Sequence, residues 1–153
     1  MVSSMGYVRS KITLRNPREG QLHELEVEAL VDSGSLMLCI PEDKALQLGL
    51  DPQKGSRRQV TTADGGQHMA PYVGPIEVLF QDRNCFVGAL VMGDDVLLGA
   101  VPMEDMDLII SPAHRKLVVN PDFPNFPHAL VKHHRAAPSS EWSSAGSPDP
   151  RSR

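Results

Sequence analysis

The sequence predicts a mainly β protein with one or two short helices, folded as a small closed β-barrel or sandwich. Apolar and acidic residues alternate from Leu25 to Ala29, which is the period of a half-buried strand. Several other short apolar segments follow, and residues typical of turns separate them. Only two short segments carry helix signals, so strands must form most of the core.

The elements follow in order along the chain. Residues 7–14 form a first strand, which the turn from Asn16 to Gly20 ends because Pro and Gly favour turn dihedrals. A helix from Pro41 to Gly49 has Pro in its first turn and Gly at its end, and a second helix covers residues 103–108. The remaining strands are predicted at residues 25–31, 36–40, 59–62, 73–80, 85–91, 96–98 and 116–119.

Composition narrows the functional classes. The 153 residues carry a formal net charge of -4, and residues 1–127 contain no concentrated basic stretch, which argues against nucleic-acid binding. No apolar run approaches the roughly 18 residues of a membrane span, and no signal peptide is visible, so we expect a cytoplasmic protein. Cys39 and Cys85 lie among apolar residues and are expected to be buried free thiols. We expect no metal and no cofactor.

The character of the chain changes near its end. Residues 135–153 are rich in Ser and Pro and show no apolar periodicity, which is typical of disorder. The sequence therefore predicts one folded domain over residues 1–127 and a disordered tail over residues 128–153.

The segment around Asp32 is the strongest candidate for chemistry. Asp32 ends an apolar strand, and a carboxylate in that position is costly unless neighbouring groups satisfy it. Ser33 and Gly34 offer a hydrogen bond and a tight turn. An ordinary β-turn closed by the Asp side chain explains the same residues, so the motif alone does not establish catalysis.

The wider pattern resembles the retropepsin-like aspartic protease family. The segment Leu30-Val31-Asp32-Ser33-Gly34-Ser35 is similar to that family's apolar strand and Asp-Ser/Thr-Gly turn. The segment from Val96 to Gly99, followed by the second helix, is similar to its apolar-apolar-Gly motif. Ala63-Asp64-Gly65-Gly66 suits the tip of its flap hairpin, and the resemblance runs from about Leu22 to Pro121.

This resemblance implies a retropepsin-like acid protease fold with a flap hairpin and a specific division of roles. Asp32 is the expected catalytic residue, and the flap tip comprises Ala63, Asp64, Gly65 and Gly66. Active-site support is expected from Ser33, Gly34, Ser35, Leu97, Leu98 and Gly99. The chain carries a single Asp-Ser-Gly motif, so a second Asp32 must come from a homodimer partner, and the substrate is a protein or peptide.

Two other functions stay open. A non-catalytic retropepsin-like domain could dimerise or bind peptides, and Leu36 gives that alternative weight, because retroviral members carry an acid there that helps to hold the substrate backbone. A weaker alternative is an unrelated β-barrel binding module whose Asp-Ser-Gly turn arose by chance.

Other polar groups have simpler interpretations. Asp94 and Asp95 fit a solvated turn, and the acids of the second helix complement its dipole. The tail histidines and His68 are expected to be exposed, and Ser33 has no neighbouring histidine that would make it a nucleophile. The acids in question are Glu104, Asp105 and Asp107, and the tail histidines are His128, His133 and His134.

Overall fold

The computed structural model describes residues 7–19 and 23–133. Nine strands and two short α-helices lie in these ranges, so the mainly β class predicted from the sequence is confirmed. The strands are β1 (Val8–Arg15), β2 (Glu24–Val31), β3 (Leu38–Ile40), β4 (Ser56–Thr61), β5 (Gln67–Phe80), β6 (Arg83–Val91), β7 (Leu97–Leu98), β8 (Leu108–Ser111) and β9 (Lys116–Val119). The helices are α1 (Glu42–Gln47) and α2 (Ala100–Asp105).

Seven strands form one sheet in the order β1-β2-β7-β3-β6-β5-β4. The sheet turns back on itself, because β1 also pairs with β5 over Thr13↔Leu79, Leu14↔Val78 and Arg15↔Glu77. Arg15 fastens this junction by donating to Glu24 at 2.9 Å and to Glu77 at 3.2 Å. A ring of pairings therefore links β1, β2, β7, β3, β6 and β5, and β4 extends beyond it along β5.

The inward faces of these strands form the core. Alternation along β2 buries Val27, Ala29 and Val31 and leaves Glu26 and Glu28 exposed, as its period of two predicts. Aliphatic side chains from β1, β3, β5 and β7 complete the same cluster. With so few aromatic residues in the chain, tight packing of Leu, Ile and Val must supply most of the apolar burial.

Both helices are six residues long and brace the sheet. Helix α1 begins after Pro41, buries Ala45, and ends before Gly49, whose φ of +73° suits glycine. Helix α2 begins at Ala100, three residues earlier than residue 103 where the sequence predicted it, and Pro102 lies within it. Proline is tolerated in a first helical turn because its missing N–H has no partner there, and this explains the difference.

Other predicted elements also differ from the structure. The strand expected at residues 36–40 is confined to Leu38–Ile40, because Ser35 and Leu36 use their carbonyls to bind the start of α2. Strand β5 begins six residues earlier than residue 73, and a bulge between Val73 and Ile76 lets it continue through Gly74 and Pro75. The segment before residue 116 also forms a strand, β8, which pairs with β9.

A buried arginine anchors the chain that follows β9. Arg83 is 2% exposed and donates to the carbonyls of Met106, Asp107 and Phe123. Asp107 accepts from the Asn120 side chain at 3.0 Å and from the His128 backbone N–H at 2.9 Å. Residues 120–128 are thereby held against the end of α2.

The predicted division at residue 127 lies near the end of the described chain. Residues 128–133 are exposed, and residues 134–153, with His134 and most of the predicted tail, lie outside the described residues. None of the described helices is both long and apolar enough to cross a bilayer.

Candidate active site

The carboxylate of Asp32 stands at the end of a buried strand. Strand β2 runs through the core and stops at Val31, after which the carbonyl of Asp32 accepts the N–H of Ser35 at 3.1 Å and closes a tight turn. The Asp32 N–H donates to the carbonyl of Leu98 at 3.0 Å. The backbone on both sides of the carboxylate is therefore fixed, while its side chain stays partly accessible.

Two hydrogen bonds orient the Asp32 side chain. Its Oδ1 accepts the backbone N–H of Gly34 at 2.9 Å, and its Oδ2 accepts the hydroxyl of Ser35 at 3.0 Å. Gly34 thus takes part in the tight turn predicted from the sequence, and its backbone N–H donates to the carboxylate. Ser33 lies exposed at the crest of the turn.

The segment Leu97-Leu98-Gly99 supports this turn from a distant part of the chain. Strand β7 pairs with β2 in parallel, with Leu30 opposite Leu97 and Val31 opposite Leu98. At the start of α2 the N–H groups of Ala100 and Val101 donate to the carbonyls of Ser35 and Leu36, each at 2.8 Å. The loop that follows Asp32 is therefore clamped at both of its ends.

Gly99 is required by the closeness of this contact. A Cβ atom at Gly99 would lie 2.4 Å from the Met37 carbonyl oxygen and 2.7 Å from the Leu36 carbonyl carbon. Such distances are far inside van der Waals contact, so only glycine fits between the two segments. The expected supporting role of this glycine thus has a steric cause.

The β4–β5 hairpin carries the predicted flap tip. Thr62 and Gly66 join across it, since the Thr62 N–H donates to the Gly66 carbonyl at 2.9 Å. The Asp64 carboxylate accepts the Thr62 hydroxyl at 2.6 Å and the Gly66 N–H at 2.9 Å. These bonds, led by the one from Thr62, lower the pKa of Asp64 below its usual 3.8. Gly65 takes a φ of +84°, which closes the turn.

An open groove of about 880 Å³ connects these parts. It contains Asp32, Gly34, Ser35 and Leu97 of the predicted site, and Ala63 of the flap, whereas Ser33, Leu98 and Gly99 lie behind or beside it. Asp64, Gly65 and Gly66 shape the hairpin tip without lining the groove. The volume suits a peptide segment of a few residues.

Several groove residues were not singled out in the sequence. They lie on β4 and just after it, and on β6 and just after it, and they comprise Arg58, Gln59, Val60, Thr61, Thr62, Leu90, Met92 and Gly93. The sequence predicted a strand at residues 59–62, but no sequence signal showed that it faces Asp32. Asp94 and Asp95 form the exposed turn that the sequence predicted, and they also border the groove.

Other nucleophiles are poorly supported. Cys39 lines the groove, but burial raises the pKa of its thiol, which keeps it protonated and weakly nucleophilic. Burial also raises the pKa of Cys85 to about 12. Among the residues that line the groove there is no histidine, so Ser33 and Ser35 lack the base that a serine nucleophile needs.

The remaining candidates are structural or exposed. Within residues 7–19 and 23–133, no group of three metal-binding side chains comes together. The pKa of Asp107 is lowered by the hydrogen bond from Asn120 and then by the one from His128, in keeping with an anchoring role. The His128 ring stacks on Phe123 with centroids 4.2 Å apart. Glu104, Asp105, His68 and His133 are exposed.

Comparison with known proteins adds independent information. A search of curated proteins found no match. Among solved structures, the crystal structure of a retropepsin-like aspartic protease from Rickettsia conorii is similar, with 19% identity and a TM-score of 0.47, covering 69% of this chain and 87% of the other. The aspartyl protease family model matches residues 19–101, which contain the Asp32 turn, the β4–β5 hairpin and Gly99. More than half of the chain lies within that match, and the family expected from the sequence is confirmed: this chain belongs to the aspartyl protease family.

Proposed function

We propose that the protein is a homodimeric aspartic endopeptidase in which the Asp32 carboxylates of two chains activate one water molecule. The observation that carries this proposal is the Asp32 side chain, held by Gly34 and Ser35 and open to the groove. A carboxylate positioned this firmly, yet accessible, suits proton transfer to and from a bound substrate.

The chemistry requires two carboxylates that share one proton. Two like charges near contact cannot both ionise, so one Asp32 is the base and the other is the acid. The base takes a proton from water, whose oxygen attacks the peptide carbonyl carbon while the acid protonates the carbonyl oxygen. Collapse of the resulting diol breaks the C–N bond, and a carboxyl proton passes to the departing amine.

The partner must supply the second acid. The sequence holds a single Asp-Ser-Gly motif, and in the described residues the Asp32 carboxylate binds only its own turn. The groove is lined by two other acids, Asp94 and Asp95. Asp95 forms an exposed ion pair with Arg9 at 3.4 Å. A two-fold axis beside the exposed Ser33 turn brings the matching groups together. We propose that the two Ser33 hydroxyls bond to backbone across this axis.

The β4–β5 hairpin acts as a lid in this proposal. Its tip is exposed and stiffened by the Asp64 hydrogen bonds, while its strand β4 lines the groove. A rigid tip on a two-stranded arm can move over a bound peptide and exclude water.

Mixing active and inactive chains tests the shared site. Asp32→Asn should abolish cleavage of a peptide library while preserving the fold, as measured by circular dichroism. With nine Asp32→Asn chains for each wild-type chain, cleavage per wild-type chain should fall to about one tenth, because most partners are inactive. Unchanged cleavage per wild-type chain would show that one chain suffices. Cleavage by pure Asp32→Asn at the wild-type rate would refute the mechanism.

The alternative of a non-catalytic peptide-binding or dimerisation module has one observation in its favour. Leu36, which replaces an acid of retroviral relatives, is 65% exposed beside the groove. Peptide binding without cleavage, in a chain that sedimentation shows to be dimeric, would support this alternative. The cytoplasmic location and the division at residue 127 stay predictions.

A further inference from the structure

A second cavity continues the Asp32 groove on the side of Leu36. It measures about 410 Å³ and shares Leu36, Met37 and Arg58 with the groove. A peptide that lies across Asp32 can therefore extend into this second cavity without leaving the surface of the chain.

The walls of the second cavity combine several apolar side chains with the charged residues Arg58 and Asp105. Leu36, Phe86 and Val101 line it and are 65%, 58% and 41% exposed. Large apolar side chains scattered singly over a surface are ordinary, but three that converge on one concavity indicate a binding site. They come from three separate elements, so their meeting results from the fold and not from one apolar stretch of sequence.

Backbone contacts hold this apolar site in a fixed position relative to Asp32. The Val101 N–H donates to the Leu36 carbonyl at 2.8 Å, and Leu36 lies four residues after Asp32. The catalytic turn and the cavity are thus parts of one rigid unit, which is what a specificity site needs.

A stacked pair forms the opposite wall. The Arg58 guanidinium lies 4.0 Å from the centre of the Tyr72 ring, and both residues line the cavity. Tyr72 packs over Gly88, where a Cβ would lie 2.1 Å from the tyrosine oxygen. Glycine at position 88 therefore leaves room for the ring, and Arg58 marks the border between cavity and groove.

From this arrangement we infer that the second cavity is an outer substrate subsite that takes an apolar peptide side chain such as Leu, Met or Phe, some residues away from the cleaved bond. Burying such a side chain against Leu36, Phe86 and Val101 removes apolar surface of both partners from water. The inference rests on the proposed function for its substrate class. A peptide that lies in the groove would reach the cavity along the residues that the two share.

Peptide selection by an inactive chain tests the subsite separately from catalysis. Full-length Asp32→Asn protein, at concentrations where sedimentation shows a dimer, is used to capture peptides from a randomised octapeptide library. We expect enrichment of Leu, Met or Phe at one position. For a selected peptide, replacing that residue by Ser should weaken binding about tenfold or more in fluorescence anisotropy.

Further variants locate the effect. Phe86→Ser combined with Val101→Ser, in the Asp32→Asn chain, should remove the preference for the apolar residue. Leu46→Ser is the matched control, because Leu46 is 58% exposed like Phe86 but lines neither cavity. Circular dichroism and thermal midpoints check that the variants fold. The comparison of the selected peptide with its Ser replacement uses only the Asp32→Asn chain, so it does not depend on the folding of these variants.

The outcomes separate the two proposals. Equal affinity for the Leu and Ser peptides, or a preference that survives the double substitution, overturns the subsite even if wild-type protein cleaves peptides. Failure to bind either peptide overturns it as well. A preference of about tenfold that the double substitution removes supports the subsite, and it does so even if wild-type protein proves unable to cleave, in which case only the catalytic proposal fails.

Discussion

At the scale of single residues, Asp32 depends on the groups that hold its oxygens. Ser35→Ala removes the 3.0 Å hydrogen bond to Oδ2 and leaves the carboxylate free to rotate about its remaining contact with Gly34. Since reaction requires a fixed geometry, we expect kcat to fall about tenfold or more with little change in thermal midpoint. Peptide-cleavage kinetics measure the effect, and Ser111→Ala, which removes a half-buried hydroxyl on β8 outside the groove, is the control. An unchanged kcat would contradict an orienting role for Ser35.

Gly99 is a second residue for which the effect of a substitution on the free energy of unfolding can be predicted. Gly99→Ala would force a methyl group to within 2.4 Å of the Met37 carbonyl oxygen, which belongs to a backbone clamped by Ala100 and Val101. We expect the free energy of unfolding to fall by about 1–3 kcal/mol, as measured by urea denaturation. A midpoint within error of wild type would show that the loop after Asp32 can move aside.

The sequence was informative for these residues because local chemistry fixes their roles. An acid at the end of an apolar strand, followed by a hydroxyl and a glycine, has few ways to fold, and in the structure Gly34 and Ser35 both donate to the Asp32 carboxylate. Arg58 could not be predicted as a groove residue. Its position depends on how β4 lies across a sheet whose order, β1-β2-β7-β3-β6-β5-β4, follows no local signal.

At the scale of elements, the flap hairpin should respond to pH. The pKa of Asp64 is lowered by the Thr62 hydroxyl and the Gly66 N–H, so the ionised form stabilises the tip. That stabilisation is complete above the usual pKa of 3.8 and is lost as pH falls through the lowered value. We expect protection of the Gly66 amide from hydrogen exchange, after correction for intrinsic rates, to decrease below pH 4.

The variant Asp64→Asn supplies the control for the flap. An amide still accepts one hydrogen bond at this position but does not titrate, so the acid-dependent loss of protection at Gly66 should disappear. If wild type and Asp64→Asn lose protection together, another group must control the tip.

The helices and strands show where local patterns mislead. Helix α2 begins at Ala100, three residues before the predicted start, because a proline is tolerated in its first turn. Strand β5 continues through Gly74 and Pro75 because a bulge absorbs them, although both residues usually interrupt a strand. Strand β9 covers the predicted residues 116–119, because its apolar residues form a short segment with clear ends in the sequence.

At the scale of the whole molecule, Arg83 joins parts of the chain that the sheet does not connect. Its guanidinium donates hydrogen bonds to the carbonyls of Met106, Asp107 and Phe123. Its Nε has no hydrogen-bond partner among the described residues. Arg83→Met keeps a long apolar stem but leaves these acceptors without a donor. We expect a loss of about 2–4 kcal/mol in the free energy of unfolding, measured by denaturant titration.

Arg57→Met is the control for this substitution, since Arg57 lies exposed on β4 and should change stability by less than about 0.5 kcal/mol. A small effect at both positions would mean that residues 120–128 detach from α2 at little cost. The sequence does not single out Arg83, because which arginine is enclosed depends on where the chain after β9 returns.

The parallel pairing of β2 with β7 has a consequence for biosynthesis. Asp32 emerges from the ribosome early, yet its backbone needs the Leu98 carbonyl, and its loop needs the N–H groups of Ala100 and Val101. A nascent chain that ends before these residues carries the acid without the scaffold that orients it. In the proposed peptidase, hydrolytic competence must therefore await synthesis of the chain through Val101, so a shorter ribosome-bound fragment could not digest its neighbours.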